Sequence, residues 1–346
     1  MAEGGPRIPM GMEHGNIFPG RFFRGIGNAF RRFAFLVMAG WATFAVYYSD
    51  LPPSIRLIVA GLFAIGSLAV LTVGYRRRPA RFVFLAAFTA VLVWWLLIPP
   101  SNTRNWQPDV ALLPWAAIDG DRVTIHGIRN VDYRTETDYT VRHYDRTFDL
   151  AKMKSVDLFV VYWGSPLIAH TMLSFGFAGG DQVCFSIETR KEVGEEYSSI
   201  KGFFKQYELT YIIGDERDLV RLRTNYRKEQ VYLWRLRTSM DLARNVFLDY
   251  LRTVNRLRDR PEWYNALTSN CTTNIRGHTV PYAPNARFDW RIIINGFIDR
   301  MIYDRGMVDR SLPFDELKRR SLINERAQAA GNDPAFSRLI REGLPR

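Results

Sequence analysis

The chain has 346 residues, 47% of them hydrophobic and 24% charged, and 47 Lys and Arg against 35 Asp and Glu give a net charge of +12. An aromatic share of 14%, an ordinary count of 25 glycines and only two cysteines exclude a disordered chain, a collagen-like chain and a disulfide-built mini-protein. These averages conceal an asymmetry: the long uncharged runs lie before residue 100 and the charged residues dominate after it.

Three runs carry no charge at all: Phe33 to Tyr48, Leu57 to Gly74 and Phe82 to Ile98. Each approaches the roughly 20 residues that cross about 30 Å of hydrocarbon at 1.5 Å per residue. Aromatic residues such as Trp41, Tyr47, Tyr48, Trp94 and Trp95 sit mostly near their ends, where amphipathic rings favour the interface. The runs therefore read as three transmembrane helices. Arg21, Arg24, Arg31 and Arg32 precede the first, and Arg76, Arg77, Arg78 and Arg81 separate the second from the third, whereas the turn from Asp50 to Ser54 has no basic residue. The positive-inside rule puts the amino terminus and the 75–81 loop in the cytoplasm, and three crossings export everything after residue 98. No small-x-small site follows the first run, so an uncleaved anchor is expected. Much of the positive charge is then a topology signal. With no zinc-finger spacing or RNA-binding signature beside it, nucleic acid is not an expected partner.

Pro, Asn and Ser mark a linker over 99–115. Beyond it, short β-branched or alternating runs predict strands at Arg122 to Ile125, Leu158 to Trp163, Leu167 to Phe177, Val183 to Thr189 and Leu209 to Ile213, with a hairpin turn at Gly179-Gly180-Asp181. Ala243, Val246, Phe247, Tyr250, Leu251, Val254 and Leu257 recur at helical spacing and predict a long amphipathic helix over Thr238 to Arg258. Strands followed by helices make an α+β domain. The expected organisation is a cytoplasmic segment 1–32, three transmembrane helices within 33–98, the linker 99–115, an exported domain 116–312, and a charged helical tail 313–346 that packs outside or trails in solvent.

The exported part holds Cys184, Cys271, His126, His143, His170 and His278. No Cys-x-x-Cys or His-Glu-x-x-His spacing supports a metal site, and no Gly-x-Ser-x-Gly elbow supports a serine hydrolase. Thiol chemistry is left. Asn270 is a good helix N-cap, which would put Cys271 in the first turn, where unpaired backbone N–H groups favour a thiolate and later an oxyanion. The alternative is a small buried residue or a disulfide with Cys184, which an oxidising compartment permits. Strand alternation puts His170, Met172 and Ser174 on one face, with Ala169, Thr171, Leu173 and Phe175 on the other, and makes His170 the candidate base. On the next candidate strand Cys184, Ser186 and Glu188 share a face, so Ser186 or Glu188 could orient the imidazole. Tyr264 and Asn270 are candidates for the oxyanion site. His278 lies roughly 10 Å along the helix from Cys271, too far to bond it. His126 and His143 are expected at the surface, and Arg190 and Lys191 at a solvated strand end.

The segment Ala169-His170-Thr171-Met172-Leu173-Ser174-Phe175-Gly176, followed by Phe185-Ser186-Ile187-Glu188-Thr189-Arg190-Lys191 and by Tyr264-Asn265 with Asn270-Cys271-Thr272-Thr273, resembles the Lnb-type N-terminal periplasmic domain family over about residues 110 to 300. The resemblance implies a circularly permuted papain-like (NlpC/P60-like) fold in which the histidine precedes the cysteine. It also implies a bacterial lipoprotein N-acyltransferase activity, with Cys271 as nucleophile and His170 as base. Here the spans precede the domain, whereas the named members of the family carry membrane segments after it. No cofactor is expected. The expected partners are membrane lipids and lipoproteins, and the expected location is the bacterial inner membrane with the domain in the periplasm. An exported cysteine peptidase or cell-wall amidase and a non-catalytic membrane-anchored binding module are the rival readings.

Overall fold

The computed structural model describes residues 20–283 and 286–345, and the chain divides into two compact units, Met1–Ile98 and Pro99–Arg346. Residues 1–19 of the expected cytoplasmic segment and the last residue of the tail lie outside the described residues.

The first unit is helical. Helix α1 (Gly20–Tyr47) begins well before the first uncharged run, so the four arginines that precede the run belong to the helix itself. Pro52 and Pro53 open α2 (Pro53–Ala69), a position where a missing N–H costs nothing, and a wider turn, Val70–Gly74, continues it. Helix α3 runs from Arg78 to Leu97. Stretches of 22, 22 and 20 residues in these helices are long and apolar enough to cross a membrane. Phe35 stacks on Phe84 with ring centroids 4.9 Å apart, yet Leu62, Ile65, Val73, Phe82 and Val83 remain exposed. Apolar side chains facing outward from helices are what a lipid solvent requires. The guanidinium carbons of Arg31, Arg32 and Arg81 lie 5.7, 4.8 and 6.0 Å from the Tyr75 ring centroid. The two arginine groups expected on one side of the membrane thus share one end of the unit.

The second unit is an α+β domain. Strands β1 (Trp115–Asp119), β2 (Arg122–Arg129), β3 (Asp132–Tyr133), β4 (Tyr139–Thr140), β5 (His143–Asp149), β6 (Met153–Tyr162), β7 (Ala169–Phe177), β8 (Gln182–Arg190), β9 (Glu208–Gly214) and β10 (Gln230–Arg235) appear in chain order. The main sheet runs β1-β2-β9-β8-β7-β6-β10, with β5 on β2 and β3 paired separately with β4. The hairpin expected at Gly179-Gly180 joins β7 to β8, and both glycines have positive φ. Helices α4 (Glu216–Arg221), α5 (Met240–Asp259), α6 (Cys271–Thr279), α7 (Ile298–Asp304), α8 (Phe314–Ser321), α9 (Asn324–Ala330) and α10 (Phe336–Leu339) complete it.

Two apolar clusters cover the two sheet faces. Leu173, Phe175, Phe185 and Ile187 meet Phe247, Tyr250 and Leu251 of α5 on one, and Phe159, Met172, Cys184 and Ile212 meet Leu219, Ala327, Phe336 and Ile340 on the other. Alternate residues of β7 and β8 enter different clusters, as the parity of the sequence requires. Because both faces are covered, all nine residues of β7 are buried.

Two segments depart from expectation. Residues 99–115 are no linker: Asn102 Nδ2 donates to the carbonyls of Leu257 and Arg258, and Trp106 and Val110 join the second cluster. Arg190 holds them. It is buried, not solvated, lies 4.3 Å over the Trp106 ring and donates to Val110 O, Ala111 O and Asn102 Oδ1. The tail is likewise integral. Ile323, Ala327, Phe336 and Ile340 close the second face, and Arg341 bonds Glu216 at 2.6 and 2.7 Å.

Candidate functional site

The local fold around Cys271 follows from its N-cap. Asn270 Oδ1 accepts from the Thr273 amide at 3.0 Å and Thr273 Oγ1 accepts from the Asn270 amide at 2.9 Å, a reciprocal capping box that starts α6 at Cys271. Asn270 Nδ2 donates to Ala266 O at 2.9 Å, so both ends of that side chain are engaged in holding the helix start.

Strands β7 and β8 stop pairing at Met172 and Ser186, although β7 continues back to Ala169 and β8 on to Arg190. They diverge there, and Cys271 sits at the opening. Thr272 Oγ1 lies 3.8 Å from the thiol sulfur and 3.2 Å from Thr171 Oγ1, and Asn295 Nδ2 lies 3.9 Å from the sulfur. Burial is the largest influence on the Cys271 pKa and pushes it up, but the charge of His170 and the polar influence of His170 and Thr171 outweigh it and lower the thiol to about 7.

On the far side of the imidazole, His170 Nε2 is 2.7 Å from Ser186 Oγ, and Ser186 donates to Glu188 Oε1 at 2.6 Å. The Ser186 proton is committed to Glu188, so Ser186 accepts from His170 and Nε2 carries the proton. Glu188 Oε1 is also 3.2 Å from Nε2, and Arg223 donates to that oxygen at 2.8 Å and to Glu229 at 3.2 Å. Burial, again the largest influence, lowers the His170 pKa, and Arg223 lowers it further. The Glu188 charge, with help from Cys271, overrides both and raises it to about 9. With Nε2 engaged, Nδ1 is the nitrogen left for the thiol. With the thiol lowered to about 7 and the imidazole raised to about 9, the thiolate–imidazolium form is populated from neutral pH upward.

These groups open into a cleft of about 930 Å³. Trp163, Ile168, Ile187, Phe203 and Ile293 give it an apolar portion, and Arg129, Glu136, Lys191, Arg227 and Glu229 a polar one. Tyr264 and Tyr197 line the same cleft. Burial first, and the neighbouring thiolate second, push the Tyr264 pKa up, so its hydroxyl stays protonated.

All six residues singled out in the sequence therefore gather at one place: Cys271, His170, Ser186, Glu188, Asn270 and Tyr264. Both cysteines are free and belong to clusters on opposite sheet faces, so the disulfide alternative is corrected. His126 is partly exposed beside Asp145, and His143 is half-buried rather than fully at the surface. Two contributors escaped sequence reasoning. Arg223, in a wide turn after α4, looked like any charged helical residue. Asn295 sits in an Asn-Gly pair that reads as a turn. Its Oδ1 accepts from the Ala169 amide at 2.9 Å, and its Nδ2 lies 3.1 Å from Thr272 Oγ1 and 3.9 Å from Cys271 Sγ.

Residues 139–296 match the family model described as the Lnb N-terminal periplasmic domain. That stretch, just under half of the chain, is similar to the Lnb-type domain. It contains Cys271, His170 and the groups bonded around them, from His170 to Asn295, whereas Arg129 and Glu136 of the cleft lie before it. The Arg190-bound segment 99–111, strands β1 to β3 and the tail lie outside the Lnb-type match; β1 and β2 extend the main sheet, and the segment and the tail cover its second face. No curated protein and no solved structure matches the chain. Three apolar helices followed by an Lnb-type domain fit a membrane protein with a periplasmic carboxy-terminal domain.

Proposed function

We propose that the protein is a membrane-anchored thiol acyltransferase acting on lipid or lipoprotein acyl esters. It lies in the bacterial inner membrane with its amino terminus in the cytoplasm and its domain in the periplasm. The observation that carries the reading is a thiol that opens α6 and shares a partly apolar cleft with His170, whose Nε2 is held 2.7 Å from Ser186 Oγ and 3.2 Å from Glu188 Oε1.

In this reading the Cys271 thiolate adds to an ester carbonyl, and the tetrahedral oxyanion accepts from N–H groups at the start of α6 and from Asn295 Nδ2 nearby. The C–O bond breaks, and the alcohol leaves with the proton of His170 Nδ1. An amine then attacks the thioester and gives its proton to His170, and sulfur departs as thiolate. Glu188, through Ser186, keeps the imidazole in register and stabilises its charge, as Arg223 fixes Glu188 in turn. A lipid anchor suits the substrate, since withdrawing an acyl chain into water costs about 0.8 kcal/mol per CH₂.

The test is intact-mass analysis of the full chain after incubation with membranes that contain phospholipid and lipoprotein. The expected result is an acyl adduct on Cys271, absent from Cys271→Ala. A Cys271 that alkylates readily but never acquires an acyl group from any lipid ester overturns the reading. Release of the chain to water rather than to an amine identifies a hydrolase acting through the same thiol.

A further inference from the structure

Beside the cleft, the loop before β7 and the segment that follows residue 289 lock together. The Gly296 amide donates to Leu167 O at 3.0 Å, and Tyr162 Oη donates to Gly296 O at 2.9 Å. A side chain at position 296 would meet Pro166 O at 2.1 Å, so only glycine permits this approach. The paired segments then expose Leu167, Ile168, Trp290, Ile293, Ile294 and Phe297, each between 37% and 55% accessible. Trp290 and Phe297 are in ring contact at 5.6 Å. Two of the six, Ile168 and Ile293, turn directly into the cleft that holds Cys271. Phe203 and Ala266 also line the cleft, Ile200 and Leu267 in the same two segments are exposed, and the Ala266 amide donates to Gly202 O to join those segments into a second wall.

We infer that this apolar rim is a bilayer-docking surface that seats the mouth of the cleft in the lipid interface and admits an acyl ester directly from the leaflet. Clusters of this kind on a water-facing domain mark an interaction site. Three features select lipid as the occupant. Ile98 to Ser101 are the only residues between the third apolar helix and Asn102, which is already hydrogen-bonded into the domain, so covalent continuity brings a bilayer within a few residues of chain. The exposed side chains are aliphatic with an indole and a phenyl ring, the set that partitions into the interface. A second copy seated on both walls would seal the mouth that substrate must enter. The consequence for substrate entry and the argument against a second copy rest on the acyl-transfer reading, whereas the docking itself rests on the first two features.

The test places a nitroxide at Ile294→Cys in the full chain carrying Cys271→Ala, reconstituted in phosphatidylglycerol–phosphatidylethanolamine vesicles. A second label at Asp241→Cys, on α5, serves as the aqueous reference. At 294 the relaxation gain from oxygen should exceed that from a water-soluble nickel chelate by roughly threefold or more, with the reverse at 241, because apolar depth excludes the charged reagent. Equal nickel access at both sites overturns docking, and so does dipolar broadening at 294, which identifies a second copy as the occupant. In the chain that retains Cys271, Trp290→Glu with Ile294→Glu should slow adduct formation from vesicle-borne ester roughly tenfold or more while alkylation of Cys271 by iodoacetamide stays within about twofold. A buried label without any acyl adduct leaves docking standing and removes the acyl-transfer reading. An adduct with a water-exposed label does the opposite.

Discussion

Two buried histidines of the domain each meet a carboxylate, and their surroundings drive them in opposite directions. His278, near the end of α6, has Nδ1 2.7 Å from Asp249 Oδ2 and Nε2 2.7 Å from Tyr211 Oη, with its ring 4.1 Å from that of Tyr250. Burial is the largest influence and lowers its pKa despite Asp249. Burial also pushes the Tyr211 phenol up, so the phenol keeps its proton and donates it to Nε2. The neutral ring is satisfied at both nitrogens and has nothing to exchange. His170 is buried to the same degree, but its second nitrogen faces a thiol that ionises at about 7. A carboxylate partner does not by itself keep a buried histidine charged. At His278 burial outweighs Asp249, whereas at His170 the Glu188 charge, with help from the thiol on the other side, outweighs burial.

The largest break between the two should come from replacing each ring. His170→Asn removes the proton acceptor and the charge that holds the Cys271 thiol down. Acyl-adduct formation should fall by about 10²- to 10⁴-fold, the range for loss of a general base, and the pH at which Cys271 alkylates should rise. His278→Asn strands Asp249 and Tyr211 and should lower stability by about 1–3 kcal/mol, while adduct formation per folded molecule stays level. Equal losses of activity in both variants would end the distinction.

A smaller effect should follow at the carboxylates. In the native chain Cys271 alkylation should climb through about pH 7, and Cys184, whose pKa burial pushes up, should stay silent until unfolding. Glu188→Gln removes the charge that raises His170, so His170 titrates lower and the alkylation midpoint of Cys271 moves up. The rate at neutral pH should drop roughly tenfold. A midpoint that does not move in Glu188→Gln would leave Glu188 outside the pair.

The contrast between the histidines also explains which features the sequence made legible. The Cys271 position was readable because capping is local: Asn270 and Thr273 are three residues apart and bond each other whatever surrounds them. His170, Ser186 and Glu188 were readable as a set because strand parity is a backbone property. Arg223 and Asn295 were not, since each reaches the site from a distant turn and only the folded chain brings it there. The same holds for segment 99–111. Its Pro, Asn and Ser content describes a linker, and nothing local announces that Arg190 will fold over Trp106 and bind three of its acceptors. The tail misleads for a related reason, because its buried apolar residues Leu317, Ile323, Ala327, Phe336 and Ile340 are spread thinly among its charges.

The mildest effect concerns pH and stability. Folded, the pair holds one proton between about pH 7 and 9, on His170. Unfolded, with ordinary values of 6.5 and 9.0, it also holds one proton over that span, on the cysteine. Equal proton counts make this pair's contribution to stability flat there. Taken singly, the raised histidine stabilises fully below 6.5 and loses that contribution as pH rises through about 9. The depressed thiol stabilises above 9.0 and loses its contribution as pH falls through about 7. Cys271→Ala removes the second half and the part of the histidine's rise that the thiolate supplies, leaving the part due to Glu188, so a slope should appear: stability should decline by about 1 kcal/mol as pH rises from 6.5 toward 9. Thermal unfolding of the full chain in detergent at several pH values reads it, with His278→Asn as the comparison, since that variant leaves the pair intact and should keep this contribution level. A flat profile in Cys271→Ala would mean that His170 is neutral without the thiol, and that the thiol, rather than Glu188, is what holds its proton.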